Sequence, residues 1–213
     1  MTATFPPSVT SDLAGWNLAW FRLLPTGQAG DELDALRAEV AAQAREMFAS
    51  SPPSAHPTAA AIRRLFRAAG TDPTRYRPSS EALLRRLLKG DPLPAIHPLV
   101  DLNNLLSIRL IVPCCVVDAA RVSPPFTLRA GEDNEVMLSM RGEFSLTGRP
   151  LLEDDEGPFG TPITDAERVK LTGETSEVWL VAYLPESVTI EPARDTLREL
   201  LAAAPVAELT GHS

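Results

Sequence analysis

Proline occupies 20 of the 213 positions, roughly twice its average share in globular proteins. Each proline fixes its own φ, removes a backbone donor and disfavours helix at the residue before it. Many fixed turns are therefore expected rather than long uninterrupted helices, and a simple helix bundle is disfavoured. Apolar residues at 44% and charged residues at 23% match ordinary globular usage, which excludes a disordered tail protein, a fibre or a disulfide scaffold. One domain over residues 1–213 is expected, with a strand, a helix and a Pro-rich linker in 1–57, a core in 58–205 and a tail in 206–213. The longest apolar run, Leu110 to Val117, is eight residues long and contains Pro113, far short of the roughly 20 residues that span a bilayer. Met1 to Ser11 has no basic residue and carries Pro6 and Pro7, unlike a secretory leader. Cys114 and Cys115 are adjacent and have no other partner, so no structural disulfide is expected. A cytoplasmic, reducing location follows as the expectation.

Between the prolines the hydrophobic spacing alternates between two periods. Trp16 to Leu24 reads as a strand entering a Pro25-Thr26-Gly27 turn, and Asp31 to Phe48 as a helix capped by Asp31, with Leu33, Leu36, Val40, Ala44, Met47 and Phe48 on one stripe. Ser50 to Pro57 is a linker, and a second helix runs from Thr58 to Ala69. In the third, Ser79 or Ser80 is the expected cap, Glu81 complements the dipole and Gly90 ends the helix. The fourth starts at Pro98 and ends near Arg109. After Pro113 short strands are expected at Cys114–Asp118, Phe126–Arg129, Glu135–Met140, Glu143–Thr147 and Glu177–Leu184, with a hairpin turn at Arg141-Gly142 and a last helix after Pro192. Helices first, sheet second and one closing helix make an α+β fold with a mixed, mostly antiparallel sheet.

The net charge of −8 opposes bulk electrostatic binding of nucleic acid. Its distribution is uneven. Ile62 to Lys89 holds eight basic residues (Arg63, Arg64, Arg67, Arg75, Arg77, Arg85, Arg86, Lys89) against Asp72 and Glu81, a local +6, and Gly131 to Glu167 holds ten acids against Arg141 and Arg149, a local −8. The basic run reads either as a solvated helix face or as a phosphate-facing patch.

Most catalytic inventories are missing. The three histidines are scattered: His56 in the linker, His97 one residue before a helix and His212 near the end, which does not suit a nucleophilic triad and suits a capping role for His97. Cys114 and Cys115 sit in an apolar strand, where cysteine acts as a small hydrophobe. Zinc ligands are too few, and no phosphate-cradling glycine loop occurs, so no metal, nucleotide or other cofactor is expected. Asp154-Asp155-Glu156 reads as a solvated acidic loop rather than a cation site. Two groupings need explanation. Asp101, Asn103, Asn104 and Ser107 lower the propensity of their helix, which a core hydrogen bond or a polar pocket would offset. Gly157 to Arg168 presents Thr161, Thr164, Asp165 and Arg168 on a backbone set by two glycines and two prolines, the composition of a binding loop; the plainer reading has Asp165 capping a turn closed by Arg168.

Arg77-Pro78-Ser79-Ser80-Glu81-Ala82-Leu83, then His97-Pro98-Leu99-Val100-Asp101-Leu102-Asn103-Asn104, then Gly157 to Lys170 with Thr172 and Thr175, resemble the B3/B4 module of the phenylalanyl-tRNA synthetase β subunit, and more closely the free-standing proteins made of that module alone. The resemblance runs from about Tyr76 to the end of the last helix. It implies a layered β/β/α domain with N-terminal helices, whose synthetase counterpart hydrolyses tyrosine wrongly attached to tRNA. It further implies a trans-editing hydrolase that meets aminoacyl-tRNA transiently, without membrane attachment or nucleotide cofactor. An activated ester needs positioned water rather than a nucleophile. On that resemblance Asn104, Thr164 and Asp165 are the candidate catalytic residues, and Arg77, Ser79, Glu81, Asn103, Gly160, Thr161 and Arg168 the candidate substrate-binding ones. Asp165 would take the substrate ammonium, and Arg77 and Arg168 would contact phosphate or carbonyl. The chain has no aminoacylation core and is not expected to charge tRNA. Two alternatives stand beside this reading: an RNA- or partner-binding module without catalysis, and a small-molecule-binding protein that kept the pocket.

Overall fold

The computed structural model describes residues 4–27 and 31–213, with only the backbone of Asp31, so the cap expected from the Asp31 side chain lies outside the described residues. Two four-stranded sheets and a helical layer are stacked in the order sheet, sheet, helices. The central sheet has the strand order β10(Ala207–His212), β2(Trp16–Pro25), β9(Val178–Pro185), β3(Cys114–Asp118), all antiparallel. Its register runs from Trp16 opposite Pro185 to Leu23 opposite Val178. The outer sheet has the order β1(Val9–Ser11), β4(Phe126–Ala130), β7(Pro150–Asp154), β8(Gly157–Gly160), in which β1 and β4 are parallel and the other pairs antiparallel. The α+β class and the mixed, mostly antiparallel pairing match the sequence expectation.

Side chains alternate across a strand, and the central sheet uses the alternation to serve two cores. Ala19, Phe21 and Leu23 of β2, Cys114 and Val116 of β3, and Val178, Leu180, Ala182 and Leu184 of β9 face the helices. These are α1(Asp31–Met47), α2(Pro57–Ala68), α3(Ser79–Leu88), α4(Pro98–Leu110) and α5(Glu191–Ala203). Of the helical apolar stripes expected from the sequence, Leu33, Leu36 and Val40 of α1, Leu84 and Leu87 of α3, Leu99, Leu102, Leu105 and Leu106 of α4, and Leu197 and Leu200 of α5 are buried there, whereas Met47 and Leu88, each the last residue of its helix, are exposed beyond the edge of the core. The opposite face presents Trp20, Cys115, Val117, Trp179, Val181 and Tyr183 to Phe126, Leu128, Leu151, Leu152 and Phe159 of the outer sheet. Trp20 stacks on Phe126 at 5.5 Å between centroids, and Phe126 meets Phe159 edge-on at 4.9 Å.

The helix starts differ in one respect from expectation. Neither Ser79 nor Ser80 caps α3 with its side chain; Pro78 is the cap residue, and the Ser79 N–H instead donates to the Pro162 carbonyl at 2.9 Å. That bond satisfies a first-turn donor with a distant loop and fixes the loop against the helix. Two histidines take capping roles, His56 Nδ1 accepting from Thr58 N–H and His97 Nδ1 from Leu99 N–H, each at 3.3 Å. The residues expected to form a tail are a strand, β10, and the Ser213 N–H and Trp20 carbonyl close its pairing at 3.0 Å. The first third of the expected binding loop, Gly157–Gly160, is likewise strand β8, which pairs with β7. A separate two-stranded hairpin of β5(Val136–Ser139) and β6(Gly142–Ser145) lays Met137 and Phe144 on the inter-sheet core and leaves Val136, Leu138 and Met140 exposed; Gly142 turns it at φ 103°.

Half of the acids in the acidic segment are committed to ion pairs among the described residues. Arg129 bonds Glu135 and Glu153 at 2.5–2.9 Å, and Asp154, far from being solvated, is buried, accepts from the Ser123 and Glu156 N–H groups and pairs with Arg168. In the basic segment Arg63 pairs with buried Glu81 at 3.0 Å, while Arg64, Arg67, Arg75, Arg85, Arg86 and Lys89 remain exposed. Among the described residues no helix is long and apolar enough to cross a membrane.

Candidate functional site

The turn after β8 is built by one hydroxyl. Thr161, buried, donates its Oγ1 to the Thr164 carbonyl at 2.7 Å and accepts from the N–H groups of Ile163 and Thr164 at 3.1 and 2.9 Å. The Thr161 N–H adds a bond to the same carbonyl at 3.1 Å. Gly160 and Asp165 are thereby held as a bridged antiparallel pair, and the Ala166 N–H returns to the Phe159 carbonyl at 2.9 Å. Thr161, not Asp165, closes this turn.

The turn carries the Asp165 carboxylate against β3, beside the Cys115 thiol and the Val116 N–H. Desolvation drives its pKa up to about 7, and the attraction of the thiol and the N–H only partly opposes this. Part of the residue's surface remains open, but the carboxylate itself is deeply buried. Burial raises the pKa of the Cys115 thiol well above the ordinary value, and the Asp165 charge raises it further, which removes Cys115 as a thiolate nucleophile at neutral pH. Cys114 is shifted in the same direction by burial. The Tyr183 hydroxyl from β9 is buried without a hydrogen-bond partner among the described residues. Gly160 admits this convergence because a Cβ there would lie 2.7 Å from Cys115 Sγ and 3.4 Å from Tyr183 Oη. A carboxylate, a thiol and a phenol therefore meet at the edge of the inter-sheet core, where an unpaired buried polar group is costly. Among them, the carboxylate alone is placed to change charge near neutral pH.

The remaining candidates are distributed around this cluster. Ser79 adjoins it through the Pro162 bond, and its Oγ is buried without a partner. Thr164 belongs to the turn. Arg77 is half-buried, and its charge acts on Glu81, whose own pKa is raised by burial against the pull of Arg63; Glu81 is thus held by Arg63 rather than presented to a ligand. On α4, Asn103 is buried with Oδ1 unpartnered and Asn104 is half-buried, but no hydrogen bond among the described residues joins α4 to the turn. Two other polar groups of α4 are satisfied: Asp101 accepts from the Ile96 N–H at 3.1 Å and pairs with Arg37, and Ser107 Oγ donates to the Val112 carbonyl at 2.7 Å. Arg168 stands apart from the cluster. Its guanidinium donates to Asp154 Oδ1 at 2.6 Å and to the carbonyls of Gly157 and Arg121 at 2.8 Å, so it clamps β8 to the segment before β4.

Sequence reasoning missed Cys115 and Tyr183 as members of the cluster. The available signal was the run from Val178 to Pro185, in which Trp179, Val181 and Tyr183 share one face: a polar ring at the end of an otherwise apolar row asks for a partner. A wide groove lined by Arg45, Phe48, Ser50 to Pro53 and Leu88 shares no residue with the Asp165 cluster and brings no second charged group to Arg45. Among the described residues no group of histidine, cysteine, aspartate or glutamate is arranged to hold a metal ion.

The B3/4 domain family matches residues 61–199. No curated protein matches the chain. Among solved structures it is similar to an N-terminal fragment of the phenylalanyl-tRNA synthetase β-subunit from Pyrococcus horikoshii, with 14% identity, a TM-score of 0.48, and coverage of 98% of this chain and 52% of that one. The chain thus spans about half the length of that fragment.

Proposed function

Because the chain belongs to the B3/4 domain family, we propose that it acts on tRNA as a free-standing hydrolase of mischarged aminoacyl esters. The observation that carries this reading is the sheltered Asp165 carboxylate, whose pKa of about 7 suits a group that recognises a cation in a site poor in water. An aminoacyl ester presents such a cation, its α-ammonium, next to the bond to be broken. Ionisation of Asp165 is opposed by burial, and pairing with the ammonium offsets that cost, so the carboxylate is most stable as an anion when substrate is bound. With the ester held there, a water oxygen adds to the carbonyl carbon, the bond to the ribose oxygen breaks, and that oxygen takes a proton. Thr164 on the turn and Asn104 on α4 are assigned to orienting the water and the carbonyl. No protein nucleophile is needed, in keeping with the raised thiol pKa values. The exposed arginines of α2 and α3 supply the attraction for the RNA backbone.

The test is ester hydrolysis over a panel of correctly and incorrectly charged tRNAs, with Asp165→Asn and Asn104→Ala variants whose folding is verified. One mischarged species should be released faster than the uncatalysed ester, and the variants should lose at least tenfold. In the wild type kcat/KM should rise through about pH 7 as Asp165 ionises, with no such rise in Asp165→Asn. Salt-sensitive tRNA binding without hydrolysis of any ester would overturn the enzyme reading and leave a binding module.

A further inference from the structure

The most buried arginine has no counter-ion among the described residues. Arg37, Arg63, Arg109, Arg129 and Arg168, with side chains 15–26% exposed, each hold at least one carboxylate. Arg149 is 3% exposed, yet no ion pair among the described residues involves it, nor Arg75 or Arg77. Its Nη1 donates to Ser145 Oγ at 3.1 Å and to the Thr147 carbonyl at 3.2 Å, and its Nε is buried without an acceptor. The guanidinium carbon lies 3.6 Å from the centroid of the Tyr76 ring and 5.2 Å from that of Phe144, and the exposed Arg75 places a second guanidinium 5.2 Å from the same tyrosine. Burial and the Arg75 charge both oppose the charged form of Arg149, while Tyr76 supports it. A buried cation without a counter-ion is expensive unless something else compensates it. Two aromatic rings flank this one, next to a second cation that repels it.

We propose that Arg149, Arg75 and Tyr76 form an anion site for a phosphate group. Guanidinium forks match phosphate oxygens in pairs, and an anion entering beside Arg75 would relieve the repulsion between the two arginines. The site is joined to the Asp165 turn through a short piece of chain, since Ser79, three residues beyond Tyr76, is bonded to Pro162. A phosphate group reaches this position from an RNA backbone or from a free phosphate compound. The choice of RNA rests on the function proposed above; the anion site itself does not.

The experiment uses the full chain with Arg149→Gln, Arg149→Lys and Arg75→Ala; the last removes an exposed side chain and leaves the core intact. In the first arm, inorganic phosphate is compared with chloride at equal ionic strength. Phosphate should raise the wild-type Tm by several degrees more than chloride, a gain abolished in Arg149→Gln and at least halved in Arg149→Lys and Arg75→Ala. In the second, fluorescence anisotropy follows a short single-stranded RNA ending in CCA, which should bind at least tenfold more weakly to Arg75→Ala. A phosphate gain that is equal in wild type and Arg75→Ala overturns the site, even if the protein hydrolyses aminoacyl-tRNA. A variant-sensitive phosphate gain without RNA binding upholds the site, assigns it to a free phosphate compound and removes the RNA reading.

Discussion

The two faces of the central sheet are built from the same three strands but packed in different ways. Toward the helices the sheet shows mainly aliphatic residues, closed over by leucines from α1, α3, α4 and α5. Toward the outer sheet it shows Trp20, Trp179 and Tyr183 against Phe126 and Phe159, and at the margin of that layer lie the unpartnered Tyr183 hydroxyl, the Cys115 thiol and the Asp165 carboxylate. Aliphatic side chains can be packed to completion without polar remainder. Aromatic layers with polar tips leave groups that need a partner, and the candidate chemistry sits where that need is unmet. One face is closed by packing alone, and the other holds the candidate site.

The largest effects should come from emptying each face in turn. Trp179→Ala should cost about 3–5 kcal/mol and Leu197→Ala about 2–5 kcal/mol in urea unfolding. They separate in function: ester hydrolysis per folded molecule should persist in Leu197→Ala and fall in Trp179→Ala. Equal losses of hydrolysis in both would erase the distinction between the faces. Next in size, Gly160→Ala drives a methyl group toward Cys115 Sγ at 2.7 Å and should cost about 1–3 kcal/mol. Adding Cys115→Ala should recover part of that loss, because the two sites share one contact; simple additivity in the double-mutant cycle would show that the backbone, not the thiol, limits the position.

A subtler difference is expected in Asp165→Asn. The folded-state pKa of about 7 is raised from the ordinary 3.8, so the folded protein holds the Asp165 proton more tightly than the unfolded chain does. The stability this confers is complete below about pH 4, declines as pH rises toward about 7, and changes little beyond. Unfolding curves from pH 4 to 8 should show the wild type losing stability relative to Asp165→Asn across that interval, and parallel curves would contradict the sheltered carboxylate. The smallest effect, about 0.5–1 kcal/mol, is expected of His97→Ala, which removes the α4 cap and should leave the pH dependence of hydrolysis unchanged.

The helical face was legible in the sequence because leucines at three- and four-residue spacing have one physical explanation. The outer sheet was much less so. Val9–Ser11 and Gly157–Gly160 are too short to show an alternation, and Pro150–Asp154 opens on a proline and is buried at all but one of its positions, so it lacks the polar face by which a strand is read. The C-terminal strand alternates, but its glycine and polar residues resemble a frayed end until β2 is present to pair with it. Asp165 was singled out from its loop, whereas Cys115 and Tyr183 read as core residues, which they also are. Their second role depends on a contact between strands far apart in the chain, and single-sequence periodicity carries no such information. Asp154 was misread for the same reason in reverse: it looked like part of a solvated acidic run, and its partner Arg168 reaches it only through the fold.

The pairing of β2 with β9 also has a consequence during synthesis. Trp20 lies opposite Val181, so a strand made among the first 25 residues waits for one that leaves the ribosome after about 155 more. At roughly 5–20 residues per second that interval is about 8–30 s, during which neither long edge of β2 has a partner strand, since β10 emerges later still. The nascent chain therefore exposes Trp20, Phe21 and Leu23 together for far longer than a local hairpin takes to close, and a chain stopped before residue 178 should be a chaperone client rather than a smaller folded domain.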